Sequence, residues 1–174
     1  AVEVEALWMS QLNISADVAS LLRDVERAEG RRNHYAQLRQ HFMSAFLRED
    51  AKPLVDHLNS DGSADTLRRP NRLLALLFGP DEFFFTVKGV LSHSMPDCIY
   101  RYGVASLAQS EANFHPFHEY PDRYPKDAAY HNGIIWTWLT GSAVHALCNT
   151  GLADSAWGMT KALEQLALTQ GAAG

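Results

Sequence analysis

Nowhere does the sequence hold an apolar run near the ~20 residues that a bilayer-spanning helix needs. Its longest aliphatic and aromatic stretches, such as residues 73–78, fall far short. Basic residues are also scarce: 15 Lys and Arg stand against 20 Asp and Glu, a formal net charge of −5. A nucleic-acid binder needs a basic face to neutralise phosphates, so neither a membrane span nor a nucleic-acid partner is expected. Two cysteines, Cys98 and Cys148, are too few for a disulfide scaffold, and neither lies in a CxxC. A reducing, cytoplasmic setting is the default reading. No glycine-rich phosphate loop, GxSxG or HExxH occurs, and no cofactor is called for. The chain lacks an initiator Met and the basic start of a signal peptide. It opens on an amphipathic pattern, AVEVEALWMS, and closes on TQGAAG at a helix-stop glycine. Both ends read as cut, so the expectation is a piece of a larger protein.

What remains is an ordinary globular composition: 174 residues, 47% hydrophobic and 20% charged, enough for one domain or one large part of a domain. Val4, Leu7, Trp8 and Leu12 recur at helical spacing and mark one apolar face over residues 2–12. Val18, Leu21, Leu22 and Val25 continue the pattern over 15–29, where Gly30 interrupts. Tyr35, Leu38, Phe42, Ala45 and Phe46 give a third helix over 32–48. Residues 49–72 hold Pro, Asp-Gly and Ser and read as a turn-rich connector. Residues 73–78 suit either a helical turn or a short buried strand. Pro80, Asp81 and Glu82 suit a helix start, with the helix running to about Met95 and stopping before Pro96. Residues 96–131 carry four prolines and form a long irregular stretch, a length that is often functional. Helices over 133–149 and 152–168 follow, separated by Thr150-Gly151 as a tight αα-hairpin. The fold class expected is all-α, built from helix pairs, with one long loop delivering residues to a shared end.

The densest chemistry lies in DAAYHNGIIWTWLTG, residues 127–141. Asn132 suits the N-cap of a helix starting at Gly133. Trp136 and Trp138 would then stand about 200° apart around that helix and could not share a face. Trp136, in line with Ala143 and Leu147, is the core candidate. Trp138, nearer the line of Ser142 and His145, faces a cavity or solvent. Two plain packing residues are the competing reading. Against it stand Asp127, Tyr130, His131 and Asn132, donors and acceptors beside a flat apolar face. That mixture suits a sugar, whose faces are apolar and whose rim is hydroxyl. His115-Pro116-Phe117-His118 has a spacing that can serve zinc, but no Cys or acidic cluster completes a site nearby. Pro116 opposes a helix that would aim both rings together, so loop histidines in polar contacts are favoured and no metal is expected. Asp122, Arg123, Lys126 and Asp127 read as solvated loop charge. Glu3 lies at the edge of the first apolar face and is a candidate sugar contact, while Glu5 reads as exposed.

Five segments, in order, resemble one known family. Residues 2–8, VEVEALW, resemble a VE-x-x-ALW helix. Residues 42–58, FMSAFLREDAKPLVDHL, are similar to an F-x-x-x-F segment followed by an L-x-D. Arg69-Pro70-Asn71 resembles an RPN turn before an apolar run. Residues 103–107, GVASL, resemble a G-L-R-T-L loop, with Ala105 where Arg is common. Residues 130–139, YHNGIIWTWL, are similar to YHNG-x-x-W-x-WL, with Thr137 where Pro is common. Together they resemble the C-terminal catalytic region of glycogen-debranching enzymes, the amylo-α-1,6-glucosidase type, along nearly the whole chain.

The resemblance implies an (α/α)6 toroid, an inner and an outer ring of helices with the site at one end. Twelve helices of about 12 residues with their connections need upwards of about 300 residues. Residues 1–174 therefore read as a single partial domain, helical hairpins forming about half a toroid, with a site-forming loop over 96–132. The reaction implied is hydrolysis of α-1,6-glucosidic branch points in glycogen or related α-glucans. It needs an acid and a base, roughly 6.5–9.5 Å apart in an inverting pair. The resemblance places one carboxylate upstream of residue 2 and the other beyond the end, so no catalytic residue is assigned. It implies substrate-binding roles for Glu3, Trp8, Tyr130, His131, Asn132 and Trp138, and a chain inactive alone. Half a ring would leave apolar helix faces open to self-association. The rival reading is a non-catalytic helical interaction module. A sugar epimerase on the same toroid is weaker, since only His131 offers itself as acid or base.

Overall fold

A computed structural model describes residues 1–48, 54–93 and 95–170, and among them the protein is mostly helical. The part of the FMSAFLREDAKPLVDHL segment at 49–53 and the closing glycines lie outside the described residues.

α1 spans Val2–Leu21 and α2 spans Val25–Phe46, packed along one another as a hairpin. The break falls at residues 22–24, not at Gly30. Arg23 takes a left-handed φ of 61°, and the Asp24 carboxylate caps α2 by accepting from the Arg27 amide at 3.1 Å. Gly30 lies inside α2, where a glycine costs only about 1 kcal/mol and does not end a helix that packs elsewhere. The three helices expected over 2–48 are therefore two.

The buried face of α1 also differs from the expected one. Val2, Ala6, Met9, Leu12, Ala16 and Ala19 face inward, and the three alanines let α1 lie close to its neighbours. Val4, Leu7, Trp8, Ile14, Val18 and Leu21 are exposed. Of the four residues expected on the apolar face only Leu12 is buried, because the helix carries apolar residues on two sides and periodicity alone does not choose between them.

Residues 57–65 form a small antiparallel hairpin, β1 (His57–Leu58) with β2 (Ala64–Asp65). Asp61 accepts from the Ser63 amide at 2.9 Å, and Gly62 takes φ 80° in the turn. α3 (Asn71–Phe78) follows, so the apolar run at 73–78 is helix, packed against α1. The helix expected from Pro80 to about Met95 is divided into a 3-10 segment, Asp81–Thr86, and α4, Val87–His93. Phe83 turns into the core beside Phe42, ring centroids 4.9 Å apart, and Phe42 meets Phe46 at the same separation.

The long stretch from 96 is irregular apart from β3 (Ile99–Tyr100) and β4 (Gly103–Ala105). Arg68 ties it to the segment before α3 through Glu111 at 2.9 Å and Asp97 at 3.4 Å. β5 (Ile135–Trp136) completes a three-stranded antiparallel sheet in the order β3-β4-β5. This overturns a helix beginning at Gly133. Gly133 adopts φ 151°, and a Cβ there would run into the His115 backbone. A 3-10 turn, Thr137–Leu139, then leads into α5, Thr140–Asn149. α5 pairs with α6 (Ala153–Thr169) across Gly151 at φ 77°, the hairpin the sequence indicated.

Candidate functional site

The ends of α3, β4 and β5 meet around an open cavity of about 580 Å³. Asp56 and His57 enter from the β1 side, Arg69, Pro70 and Asn71 from the start of α3, and Ser106 from the end of β4. Tyr130, His131, Trp136 and Trp138 form the opposite wall.

Arg69 holds this wall in place. Its guanidinium donates to the Ser106 carbonyl at 3.2 Å, to the His131 carbonyl, and to Asn132 Oδ1 at 3.1 Å. Asn132 therefore acts as a loop fastener, not as the helix N-cap expected. Its amide nitrogen donates to the Ala128 carbonyl at 2.9 Å, and its own carbonyl accepts from the His115 amide at 2.6 Å. The buried Gly133 amide donates to Ser106 Oγ at 2.8 Å. Trp136 Nε1 donates to the Tyr130 carbonyl at 3.3 Å, and the two rings meet edge to face at 4.7 Å. Trp136 also packs on the core, while Trp138 is 63% exposed. Trp138 is outward as expected, whereas Trp136 is half-buried and shares the cavity wall with it, because strand and 3-10 geometry rather than helical angles places the two rings.

Among the expected substrate contacts, Tyr130, His131 and Trp138 line the cavity together. Asn132 stands behind them through Arg69. Glu3 does not line it but lies near enough for its charge to act on Asp56, and Glu3 Oε2 is buried without a partner. Trp8 is elsewhere, on the α2 side of α1, edge-on to His34 at 6.2 Å. His115 stacks on Tyr124 at 4.2 Å and His118 lies 3.3 Å from Asp127. Among the described residues no group of three His, Cys, Asp or Glu is placed to hold a metal.

Residue reasoning missed Asp56 and Arg69 as individual groups. Asp56 is 1% exposed, with Oδ2 accepting from Asn71 Nδ2 at 3.2 Å. Burial pushes its carboxyl above the ordinary range, helped by the charge of Glu3 and opposed by Arg72, the Asn71 bond and Arg69. Arg72 is equally buried and donates to the Thr66 carbonyl at 3.0 Å, and burial lowers its pKa. The available signal for Asp56 and Arg69 was the order of motifs, since each lies in one of them.

Four of the five segments that carried the resemblance converge here. Asp56 comes from L-x-D, Arg69 and Asn71 from RPN, Ser106 from the GVASL loop, and Tyr130, His131, Trp136 and Trp138 from the last motif. The residue just before VEVEALW, Ala1, also lines the cavity. The family model for amylo-alpha-1,6-glucosidase matches residues 1–170. The chain belongs to this family. No curated protein and no solved structure matches it. Membership of the amylo-alpha-1,6-glucosidase family accounts for the shared order of motifs. The structure adds that these motifs, distant in sequence, share one cavity. No described helix is long and apolar enough to cross a membrane.

Proposed function

We propose that this chain forms substrate-binding wall in a glycoside hydrolase acting on α-1,6-glucosidic branch points of glycogen or related α-glucans. The observation that carries the reading is the convergence of the family's separated motifs on one cavity. Its composition supports a sugar. Trp138 and Trp136 offer flat apolar surface, while Arg69, Asn71 and His131 offer polar groups around the rim. Sites for small ligands combine apolar walls with a few placed polar groups in this way.

Only one carboxylate, Asp56, lines the cavity among the described residues. Hydrolysis by an acid and base pair needs two. In this reading the acid and base lie outside residues 1–174 and the chain alone is inactive, within a larger (α/α)6 toroid in the cytoplasm. Calorimetric titration with isomaltose and maltose tests it. Binding that weakens at least tenfold in Trp138→Ala supports the wall, whereas no binding by the wild type removes it. Release of glucose from a limit dextrin by this chain alone would overturn the inactivity.

A second reading, a helical interaction module, draws on the exposed apolar residues of α1, Val4, Leu7, Ile14, Val18 and Leu21. They recur at steps of three, seven, four and three, the spacing of a helix–helix seam. Tight protein association without sugar binding would favour it.

A further inference from the structure

Asp56 has only one of its two carboxylate oxygens engaged. Oδ2 accepts from Asn71 and lies 3.6 Å from His57 Nδ1, whereas Oδ1 is closed to bulk water and has no hydrogen-bond partner in the protein. The backbone of Asp56 is fixed on both sides. The Asp56 amide donates to the Asp65 carbonyl at 2.9 Å, and its carbonyl accepts from the Val2 amide at 2.9 Å. Native proteins leave few buried acceptors unpaired, and a turn about the side-chain bonds of Asp56, which lines the cavity, would present this one to a donor there.

The surroundings limit what that donor is. A metal cation would find a single lining carboxylate and two nearby guanidinium groups, Arg69 and Arg72, that repel it. An anion would meet the carboxylate itself. A neutral hydroxyl supplies a donor and brings no charge. We infer that Asp56 is the anchoring carboxylate of this cavity, its Oδ1 accepting a hydrogen bond from one hydroxyl of a bound glucosyl unit whose ring lies against Trp138. The inference rests on the sugar-binding reading above. It makes Asp56 a specificity determinant, because a cavity built to receive a hydroxyl rejects the analogue that lacks it.

The test is calorimetry of the full chain and of Asp56→Asn, with isomaltose and with methyl α-glucoside and its 2-, 3-, 4- and 6-deoxy forms. The wild type is expected to lose at least tenfold in affinity for one deoxy form. Asp56→Asn is expected to bind isomaltose at least tenfold more weakly and to lose that discrimination, while still melting cooperatively. If Asp56→Asn binds isomaltose and every deoxy form as the wild type does, Asp56 is a structural carboxylate and only this inference falls. If the wild type binds no sugar, the proposed function falls and takes this inference with it. Should Asp56→Asn fail to fold, the deoxy series on the wild type decides. Equal affinity for all four forms overturns the anchor, and a tenfold loss confined to one form supports it.

Discussion

Arg69 ties two further pieces of chain to its own through one side chain: the end of β4, and the His131 carbonyl with the neighbouring Asn132 side-chain amide. Arg69→Lys keeps the charge but offers a point donor in place of a fork. Chemical denaturation is expected to show a loss of about 1–3 kcal/mol, with sugar binding falling in parallel. Asp56 leads to a prediction about pH. Its raised carboxyl pKa means that the folded protein keeps a proton where the unfolded chain, with an ordinary value of 3.8, has released it. The contribution of this group is therefore most favourable below the unfolded value and declines as pH climbs through the folded one. Asp56→Asn cannot release that proton, so its melting temperature should gain on the wild type as pH rises above the ordinary carboxyl value of 3.8. A gap that stays constant with pH would contradict the shift. Burial also pushes the Cys98 thiol up to about 12, against the pull of Arg68 and Arg72, while Cys148 is exposed. A thiol reagent near neutral pH is expected to titrate one cysteine rapidly in the native protein and the second only after unfolding.

At the scale of elements, two glycines that look alike in sequence behave oppositely. Gly30 lies in an open helix interior with nothing within 4 Å of an added Cβ. Gly30→Ala is expected to raise the denaturation midpoint by the equivalent of about 0.5–1 kcal/mol. Gly133 sits at a φ that L residues rarely adopt and against the His115 backbone, so Gly133→Ala should cost at least about 1–3 kcal/mol and disturb the cavity wall. This contrast shows where the sequence was legible. The α5–α6 hairpin was readable because a long periodic pattern flanks a turn glycine. Gly30 misled because a helix breaker was weighed without the tertiary packing of α1 on α2. β5 was illegible since two residues, Ile135 and Trp136, are too few for an alternation to register. Its partner β4 lies in what composition marks only as loop. Asp56 and Arg69 carry no local pattern, and only the fold reveals that a buried carboxylate and a guanidinium face one cavity.

Across the whole molecule, the exposed stripe of α1 has the larger consequence. Ile14, Val18 and Leu22 border a groove flanked by Arg27 and Arg31 of α2. A surface of this kind favours association. Sedimentation is expected to show a concentration-dependent rise in mass, abolished by Ile14→Lys with Val18→Lys and without loss of melting temperature. A chain that stays monomeric at high concentration would remove the interaction reading. The fold also has an order in time. The guanidinium of Arg69 must find partners 37 and 62 residues further along the chain. Helical hairpins close over short loops and form early, whereas contacts so distant in sequence are made late. The cavity is thus expected to close only after the α1–α2 and α5–α6 hairpins have formed.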